Sequence, residues 1–220
     1  MATRLLILAL TLLLATGDVA LAGAWPREEG EAFVSAQVRQ DADTLDDLPV
    51  INLYGEYGLT GRWTVGAKLD YALASEDITH VKAFGRWHMQ NDGGSWQKAI
   101  SLSVEGTEED PYVSPAIHLG RGFDTAFGPG WLDVEVSASV SILDADVDLG
   151  GFALVGLKPH PRLMTMMALD VTPINSGTQV NVIPSVAWQY KQGKHLQLEW
   201  THALDGIIKD EVAAGIWLEF

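Results

Sequence analysis

The stretch that decides the fold is WLDVEVSASVSIL, residues 131–143. From Leu132 to Ile142 every second residue is apolar, and the residues between them are Asp133, Glu135 and three serines. Such alternation has the period of a β-strand whose two faces meet different surroundings. No stretch of about 11 residues or more shows a convincing helical spacing of apolar residues, so the sequence predicts an all-β protein.

Twelve segments with this alternation follow one another, and residues that favour turns separate them. Their short connections predict an antiparallel up-and-down sheet of about twelve strands in one domain, residues 23–220; ten to fourteen would fit if weak segments are misread. The predicted strands are Glu31–Gln40, Val50–Gly58, Trp63–Ala72, Ile78–Met89, Trp96–Gly106, Val113–Arg121, Trp131–Leu143, Leu149–Lys158, Leu163–Val171, Val180–Tyr190, His195–His202 and Val212–Phe220.

The connectors between these segments alternate in character. One set is mostly acidic, as in DADTLDDLP and TEEDPY, and the other is neutral or basic and rich in glycine, as in LTGR and QNDGGS. Successive connectors of an up-and-down sheet emerge at opposite ends, so one end of the sheet is predicted to be acidic. GFDTAFGPG, residues 122–130, reads as a turn at the other end, because its glycines and proline supply turn conformations.

Residues 1–22 have the pattern of a cleavable signal peptide: a charged start, an apolar middle and the small-residue site Ala20-Leu21-Ala22. A membrane-anchoring helix is the alternative for this run, since about 20 apolar residues can span a bilayer. The chain has no cysteine, so it has neither disulfides nor a cysteine metal site. Its formal net charge of −15 argues against a nucleic-acid partner.

Aromatic residues cluster near the ends of the predicted strands, as in the two girdles of transmembrane barrels. The alternative is a soluble β-sandwich or lipocalin-like barrel with its apolar face inside. That face would hold many small residues, and the tryptophans would be unexplained. A sheet in lipid must close on itself, so we expect the apolar face to meet lipid and the polar face to line a lumen, with both termini periplasmic. The predicted girdle comprises Trp63, Trp87, Trp96, Trp131, Trp188, Tyr190 and Trp200, with Tyr71 and Tyr112 near the acidic end.

The polar faces define a set of candidate pore-lining residues. The basic ones lie on the first four strands and the acidic ones mostly on strands five to twelve, although Glu56 and Asp70 break this segregation. Opposed charged walls would orient small polar solutes in a narrow channel, whereas charges paired across the interior would seal it. The candidates are Arg39, Glu56, Lys68, Asp70, His80, Lys82, Arg86, His88, Glu105, Asp133, Glu135, Glu199 and Glu219.

LYGEYGLTGRW (53–63) and the alternating C-terminus that ends in Phe220 resemble small Gram-negative outer-membrane β-barrels. AWPREEGEAFVS (24–35) and GRGFDTAFGPGW (120–131) resemble proteobacterial barrels grouped with transporters of aromatic-degradation pathways. The resemblance implies an outer-membrane location, lipid and lipopolysaccharide as surroundings, and recognition of the last strand by the barrel-assembly machinery. The residues that match this assembly signal are Val212, Ala214, Ile216, Leu218 and Phe220, Ala214 being smaller than the residue often found there.

An outer-membrane enzyme that modifies lipids is the third functional alternative, with His118, His195 and His202 on predicted strands. No G-x-S-x-G motif accompanies them, so no catalytic residue is predicted. DADVDLG, residues 144–150, starts like a calcium loop but lacks its glycine and closing glutamate, and we interpret it as a solvated loop. The sequence predicts no metal centre and no cofactor, and binding of divalent ions by the acidic loops as a group is a separate hypothesis.

Overall fold

The computed structural model describes residues 23–44, 48–90, 93–107, 110–174, 177–204 and 209–220; the predicted signal peptide lies outside them. No helix in these ranges is long and apolar enough to cross a membrane. Within them the chain forms twelve strands, which are β1 (Ala32–Asp41), β2 (Val50–Thr60), β3 (Trp63–Ala72), β4 (Asp77–His88), β5 (Trp96–Gly106), β6 (Pro111–Thr125), β7 (Gly128–Ser141), β8 (Val147–His160), β9 (Leu163–Ile174), β10 (Gly177–Lys191), β11 (Lys194–Ala203) and β12 (Glu211–Glu219).

The sheet closes into a barrel in which each strand pairs with its neighbours in sequence. The closing contact is between β1 and β12, in antiparallel register from Phe33 opposite Glu219 to Asp41 opposite Glu211. Closure leaves no strand edge unpaired, which a sheet surrounded by lipid requires. The predicted all-β, antiparallel, twelve-stranded up-and-down barrel is therefore confirmed.

The two ends of the barrel differ in the length of their connections. Residues 61–62, 126–127, 161–162 and 192–193 form two-residue turns at the end where β1 begins and β12 stops. The connections at the opposite end include the acidic stretches 42–49 and 142–146. Outer-membrane barrels have short turns on the periplasmic side, so we call the end with the termini the inner end and the acidic end the outer end.

The largest departure from the predicted boundaries occurs between β6 and β7. The glycine-rich stretch 122–130, predicted as a turn, pairs as strand except at residues 126–127. The Thr125 hydroxyl donates to the Gly128 carbonyl oxygen at 2.8 Å and accepts the Phe127 N–H at 3.1 Å. The hairpin therefore needs only two turn residues, and the remaining glycines complete backbone pairing with β7 and β8.

The outer surface of the barrel is apolar. Along β5, Ile100, Leu102 and Val104 are between 41% and 56% exposed, while the alternating Ala99 and Ser103 are buried. The same alternation of exposed apolar and buried polar residues recurs on β11. A closed barrel that is apolar outside and polar inside is the architecture of a transmembrane barrel.

Candidate functional site: the barrel lumen

All thirteen candidate lumen residues lie on the inward-facing positions of their strands. Five of them are only 3% to 8% exposed, although the outward-facing residues of the same wall are largely exposed: Glu56, Asp70, Arg86, His88 and Asp133. The other eight are partly exposed to the interior. A bulge at Thr79 in β4 keeps His80 opposite Asp70, on the interior face.

The most buried charges form a cluster around Glu56. Arg27 Nε donates to Glu56 Oε2 at 2.8 Å, and Arg86 Nη1 donates to Glu56 Oε1 at 2.9 Å. The Tyr54 hydroxyl also donates to Glu56, and the Arg86 guanidinium lies 4.9 Å from the centre of the Phe84 ring. Both carboxylate oxygens are therefore used, which buried charges require if they are to be tolerated.

The remaining basic residues pair along the wall that carries them. Lys82 lies 3.0 Å from Glu105 on the adjacent β5, and Lys68 lies 3.2 Å from Asp70 on the same strand. Carboxylates close to these lysines thus neutralise the positive charge of the predicted basic wall, which Glu56 and Asp70 already interrupt. Arg39 also pairs, with Glu211 at 3.6 Å and with Asp70 at 4.0 Å. Glu135 and Glu199, by contrast, have no lysine or arginine within 4.0 Å among the described residues, so the opposite wall carries the unbalanced negative charge.

Residues 23–31, which we call the N-terminal segment, enter the lumen from the inner end. The Ala24 N–H donates to Asp133 Oδ1 at 3.1 Å, and the Ala24 carbonyl oxygen lies 3.2 Å from His88 Nδ1. A carbonyl oxygen can only accept, so Nδ1 of His88 carries the proton of that bond. Ala24 is 1% exposed and Arg27 is 4% exposed. The segment is therefore bound inside the barrel by hydrogen bonds and an ion pair from several strands.

Trp25 of this segment packs against an apolar cluster on the far wall. The cluster comprises Trp131, Met164, Met166 and Ala187, and Leu154 and Trp217 also pack on it. Gly120 of β6 permits this position, because a β-carbon there would lie 2.4 Å from the Trp25 ring. The N-terminal segment therefore contacts both the charged cluster around Glu56 and this apolar cluster.

Two aromatic residues depart from the predicted girdle. Trp131 is 2% exposed and lies inside the barrel, because it shares the strand face of Asp133 and not that of Leu132. Its ring occupies the space above Gly156, where a β-carbon would lie 2.2 Å away. Tyr112 likewise faces the interior, where its hydroxyl donates to Asp110 at 2.7 Å. Nearness to a turn suggested the girdle, but strand parity decides which way a side chain points.

The other predicted girdle residues point outward. Trp63, Trp96, Trp188, Tyr190 and Trp200 are between 38% and 48% exposed. Trp87 lies opposite Trp63 in the register, on the same face. Four of the predicted assembly-signal residues form the outward face of β12, and the fifth, Phe220, follows directly after that strand with a 71% exposed side chain. Their roles at the membrane interface and in assembly remain predictions.

The described residues enclose an outer and an inner cavity in the barrel interior. The outer cavity, about 540 Å³, opens among the outer strand ends, and Lys82 and His80 face five carboxylates in its lining. The inner cavity, about 300 Å³, lies deeper and is lined mainly by aromatic and aliphatic side chains together with Glu199 and Glu219. Phe152 lines both cavities. The carboxylates of the outer cavity are Glu105, Asp110, Glu135, Asp148 and Asp170.

The histidines considered for lipid chemistry do not share a lipid-facing site. His118 and His195 face the interior at 1% and 2% exposure, whereas His202 faces outward and lies 2.7 Å from Asp210. Ser101 Oγ is 2.8 Å from His118 Nε2, and Glu135 Oε2 is 3.4 Å from His118 Nδ1. Nδ1 nevertheless forms no hydrogen bond within the described structure, so this group lacks the contact that orients a catalytic base.

The sequence indicated the charged wall residues but not the N-terminal segment or the apolar lining. Arg27 and Trp25 had no signal beyond their residue type, because residues 23–31 lack a strand period. Parity would have placed Trp217 and Phe33 inside, since Trp217 is two residues from Glu219 and Phe33 pairs with it.

Comparison with solved structures identifies the class of fold. No family model matches the chain, and a search of curated proteins finds no match. The KdgM porin is similar with a TM-score of 0.65 at 7% identity, over 86% of this chain and 99% of that one. The NanC porin (0.63, 8%, 85% and 98%) and the Acinetobacter baumannii outer membrane protein Omp33 (0.58, 9%, 87% and 99%) are also similar. The chain thus has the fold of the outer-membrane porin barrels.

Proposed function

We propose that the protein is a narrow outer-membrane channel for small polar solutes that prefers cations. The observation that carries the proposal is the pair of cavities inside a closed barrel, both of them lined by Phe152. The excess of carboxylates in the outer cavity supports the preference for cations, because charged linings set pore selectivity. The structural neighbours include a KdgM porin in complex with disordered oligogalacturonate. In this chain the carboxylates of the outer cavity favour positively charged solutes.

The same proposal includes the cellular context. We propose that the chain is exported through a signal peptide that is cleaved after Ala22. It would then insert among outer-membrane lipid and lipopolysaccharide, and the barrel-assembly machinery would recognise β12. The barrel fold and the apolar outer surface support this context. Divalent ions that bridge the acidic outer connections to lipopolysaccharide phosphates belong to the same hypothesis. Heat-modifiable migration of the membrane-extracted protein on a gel would support it, whereas a soluble, unmodified species would contradict it.

A sealed structural barrel is the second candidate, and the N-terminal segment favours it. Ala24 and Arg27 are buried within the lumen, and Trp25 packs on the apolar cluster of the far wall. A channel therefore requires this segment to move, and we propose that residues 23–31 act as its gate. A barrel in which the segment never moves would be closed.

A reversible cross-link separates the two candidates. The β-carbon of Ala24 lies 2.7 Å from the position that a β-carbon on Gly120 would take. A cysteine pair at these positions forms a disulfide after a shift of about an ångström, and the absence of native cysteines removes side reactions. The cysteine at position 120 also requires the Trp25 ring to shift, so the reduced double variant is compared with the reduced Gly120→Cys variant. For the Ala24→Cys, Gly120→Cys variant in planar bilayers, we expect low conductance when oxidised and, after reduction, the conductance of Gly120→Cys alone.

The two single-cysteine variants, treated with the same oxidant and reductant, control for effects of each substitution. Equal conductance of the oxidised and reduced double variant would contradict the gate but leave the channel. No conductance above background from correctly folded wild-type protein, at any voltage, would reject the channel in favour of the sealed barrel.

A further inference from the structure

The inner cavity has an unusual lining for a barrel lumen. The interiors of transmembrane barrels are typically polar, yet this cavity is bounded by the rings of Phe33, Trp131, Phe152 and Trp217. The apolar cluster beneath Trp25 accounts for only part of it. Phe33 and Phe152 line the cavity without belonging to that cluster. Aromatic surface that encloses a space of about 300 Å³ is typical of a binding site for a small organic molecule.

Two carboxylates, those of Glu199 and Glu219, lie in the lining of this cavity, and Glu199 is the one whose surroundings point to a ligand. It lies midway along β11, with its carboxylate in the cavity lining. Gln37 Nε2 donates to Gln197 Oε1 at 2.6 Å, and Gln197 Nε2 donates to Glu199 Oε2 at 3.2 Å, so a chain of amides orients the carboxylate. Within the described residues no lysine or arginine lies within 4.0 Å of it, whereas Arg39 is paired with Glu211 at 3.6 Å.

The nearest cation to the aromatic rings is already balanced. The Arg27 guanidinium lies 4.7 Å from the centre of the Phe33 ring, which is a cation–π distance, and its charge is matched by Glu56. Among the described residues, no lysine or arginine forms a direct ion pair with Glu199, so a bound cation would be its first direct ionic partner. A cation with an aromatic body would satisfy the carboxylate and fill the aromatic walls at once.

We propose that the inner cavity is a binding site for a small aromatic cation, such as a protonated or quaternary arylalkylamine, with its charge toward Glu199 and its ring among Trp131, Phe152 and Trp217. This inference deepens the proposed channel function by naming its solute class. The acidic outer cavity concentrates cations at the entrance, and Phe152 is the ring that such a solute meets between the two cavities.

The test uses three probes of related shape and isothermal titration calorimetry on the folded barrel in detergent. Benzyltrimethylammonium carries both ring and charge, tetramethylammonium lacks the ring, and benzenesulfonate has the ring with the opposite charge. We expect benzyltrimethylammonium to bind at least about tenfold more tightly than either of the others, because only it makes both contacts. Glu199→Gln is expected to weaken its binding by about tenfold, since it removes the charge but keeps the shape.

Glu105→Gln is the matched control, because Glu105 lies in the outer cavity and is paired with Lys82. It should change the affinity by less than about twofold. Phe152→Leu should weaken benzyltrimethylammonium binding, because it removes one aromatic wall of the cavity but keeps an apolar side chain of similar size in its place. Equal affinity for benzyltrimethylammonium and benzenesulfonate, or an unchanged affinity in Glu199→Gln, would overturn the proposal. Binding is measured without conduction, so failure of this inference and failure of the channel are distinguishable.

Discussion

Glu56 is the residue on which the inner half of the lumen depends. It accepts hydrogen bonds from Arg27 and Arg86, and its side chain is only 6% exposed. Glu56→Gln would leave two guanidinium groups without their shared carboxylate in a buried place, which costs about 3–5 kcal/mol. We expect a markedly lower midpoint of denaturant unfolding in detergent micelles, followed by tryptophan fluorescence.

Glu105→Gln provides the comparison for this prediction. Its partner Lys82 is 29% exposed in its side chain, so the pair is screened by water and should contribute about 0–1 kcal/mol. An equal loss of stability in the two variants would show that the Glu56 cluster is no more important than a solvated ion pair.

Trp131 illustrates what single residues in the sequence do and do not reveal. The alternation of residues 131–143 correctly assigns Asp133 to the interior, and the same parity places Trp131 beside it. The prediction of a girdle residue followed from nearness to a turn, which is a weaker signal than strand parity. The space opposite Gly156 that accepts the ring is not visible in the sequence, because the two residues become neighbours only through pairing of β7 with β8.

The N-terminal segment is the element that the sequence could not predict. Its contacts join residues far apart in the chain, as Ala24 and Asp133 are separated by 109 positions. The segment has no strand period of its own, so its location depends on a lumen that exists only after the barrel has closed. The strands, in contrast, follow from local alternation, and their predicted bounds differ little from those observed except at β6 and β7.

The last strand, β12, is the element that closes the barrel. The Phe220 N–H donates to the Ala32 carbonyl oxygen at 2.9 Å, and the Ala32 N–H donates back to the Phe220 oxygen at 3.2 Å. Deletion of Phe220 would remove this final pair and the terminal aromatic residue of the predicted assembly signal. We expect a strong reduction of heat-modifiable barrel in the outer-membrane fraction, measured by immunoblotting.

Deletion of Leu143 is a suitable control for that experiment. Leu143 is 69% exposed, as Phe220 is at 71%, but it lies in the connection between β7 and β8 at the outer end. Loss of one apolar residue there should leave assembly nearly intact. Normal outer-membrane levels of the Phe220 deletion, or an equal defect in both variants, would contradict a specific role for the end of β12.

At the scale of the whole molecule, charge is distributed unevenly within the barrel. Lys68 and Lys82 have carboxylate partners on their own or a neighbouring strand, and Arg86 of β4 pairs with Glu56 of β2, two strands away. On the far wall, Glu135 and Glu199 have no lysine or arginine within 4.0 Å among the described residues. The sequence predicted which charges face inward but not this pairing, because ion pairs depend on register. We therefore expect a negative electrostatic potential from the outer cavity to Glu199, which should favour cations along the whole lumen.

This field predicts the ion selectivity of the channel. With potassium chloride at unequal concentrations across a planar bilayer, the reversal potential should indicate preference for potassium over chloride. The double variant Glu135→Gln, Glu199→Gln removes two carboxylates that have no lysine or arginine partner among the described residues. The permeability ratio of potassium to chloride should therefore fall to about half of its wild-type value or lower, toward unity. Lys82→Met, Glu105→Gln removes one charge of each sign from the outer cavity and should leave the ratio nearly unchanged. Anion preference in the wild-type channel, or an equal effect of the two double variants, would contradict an acidic wall as the source of selectivity.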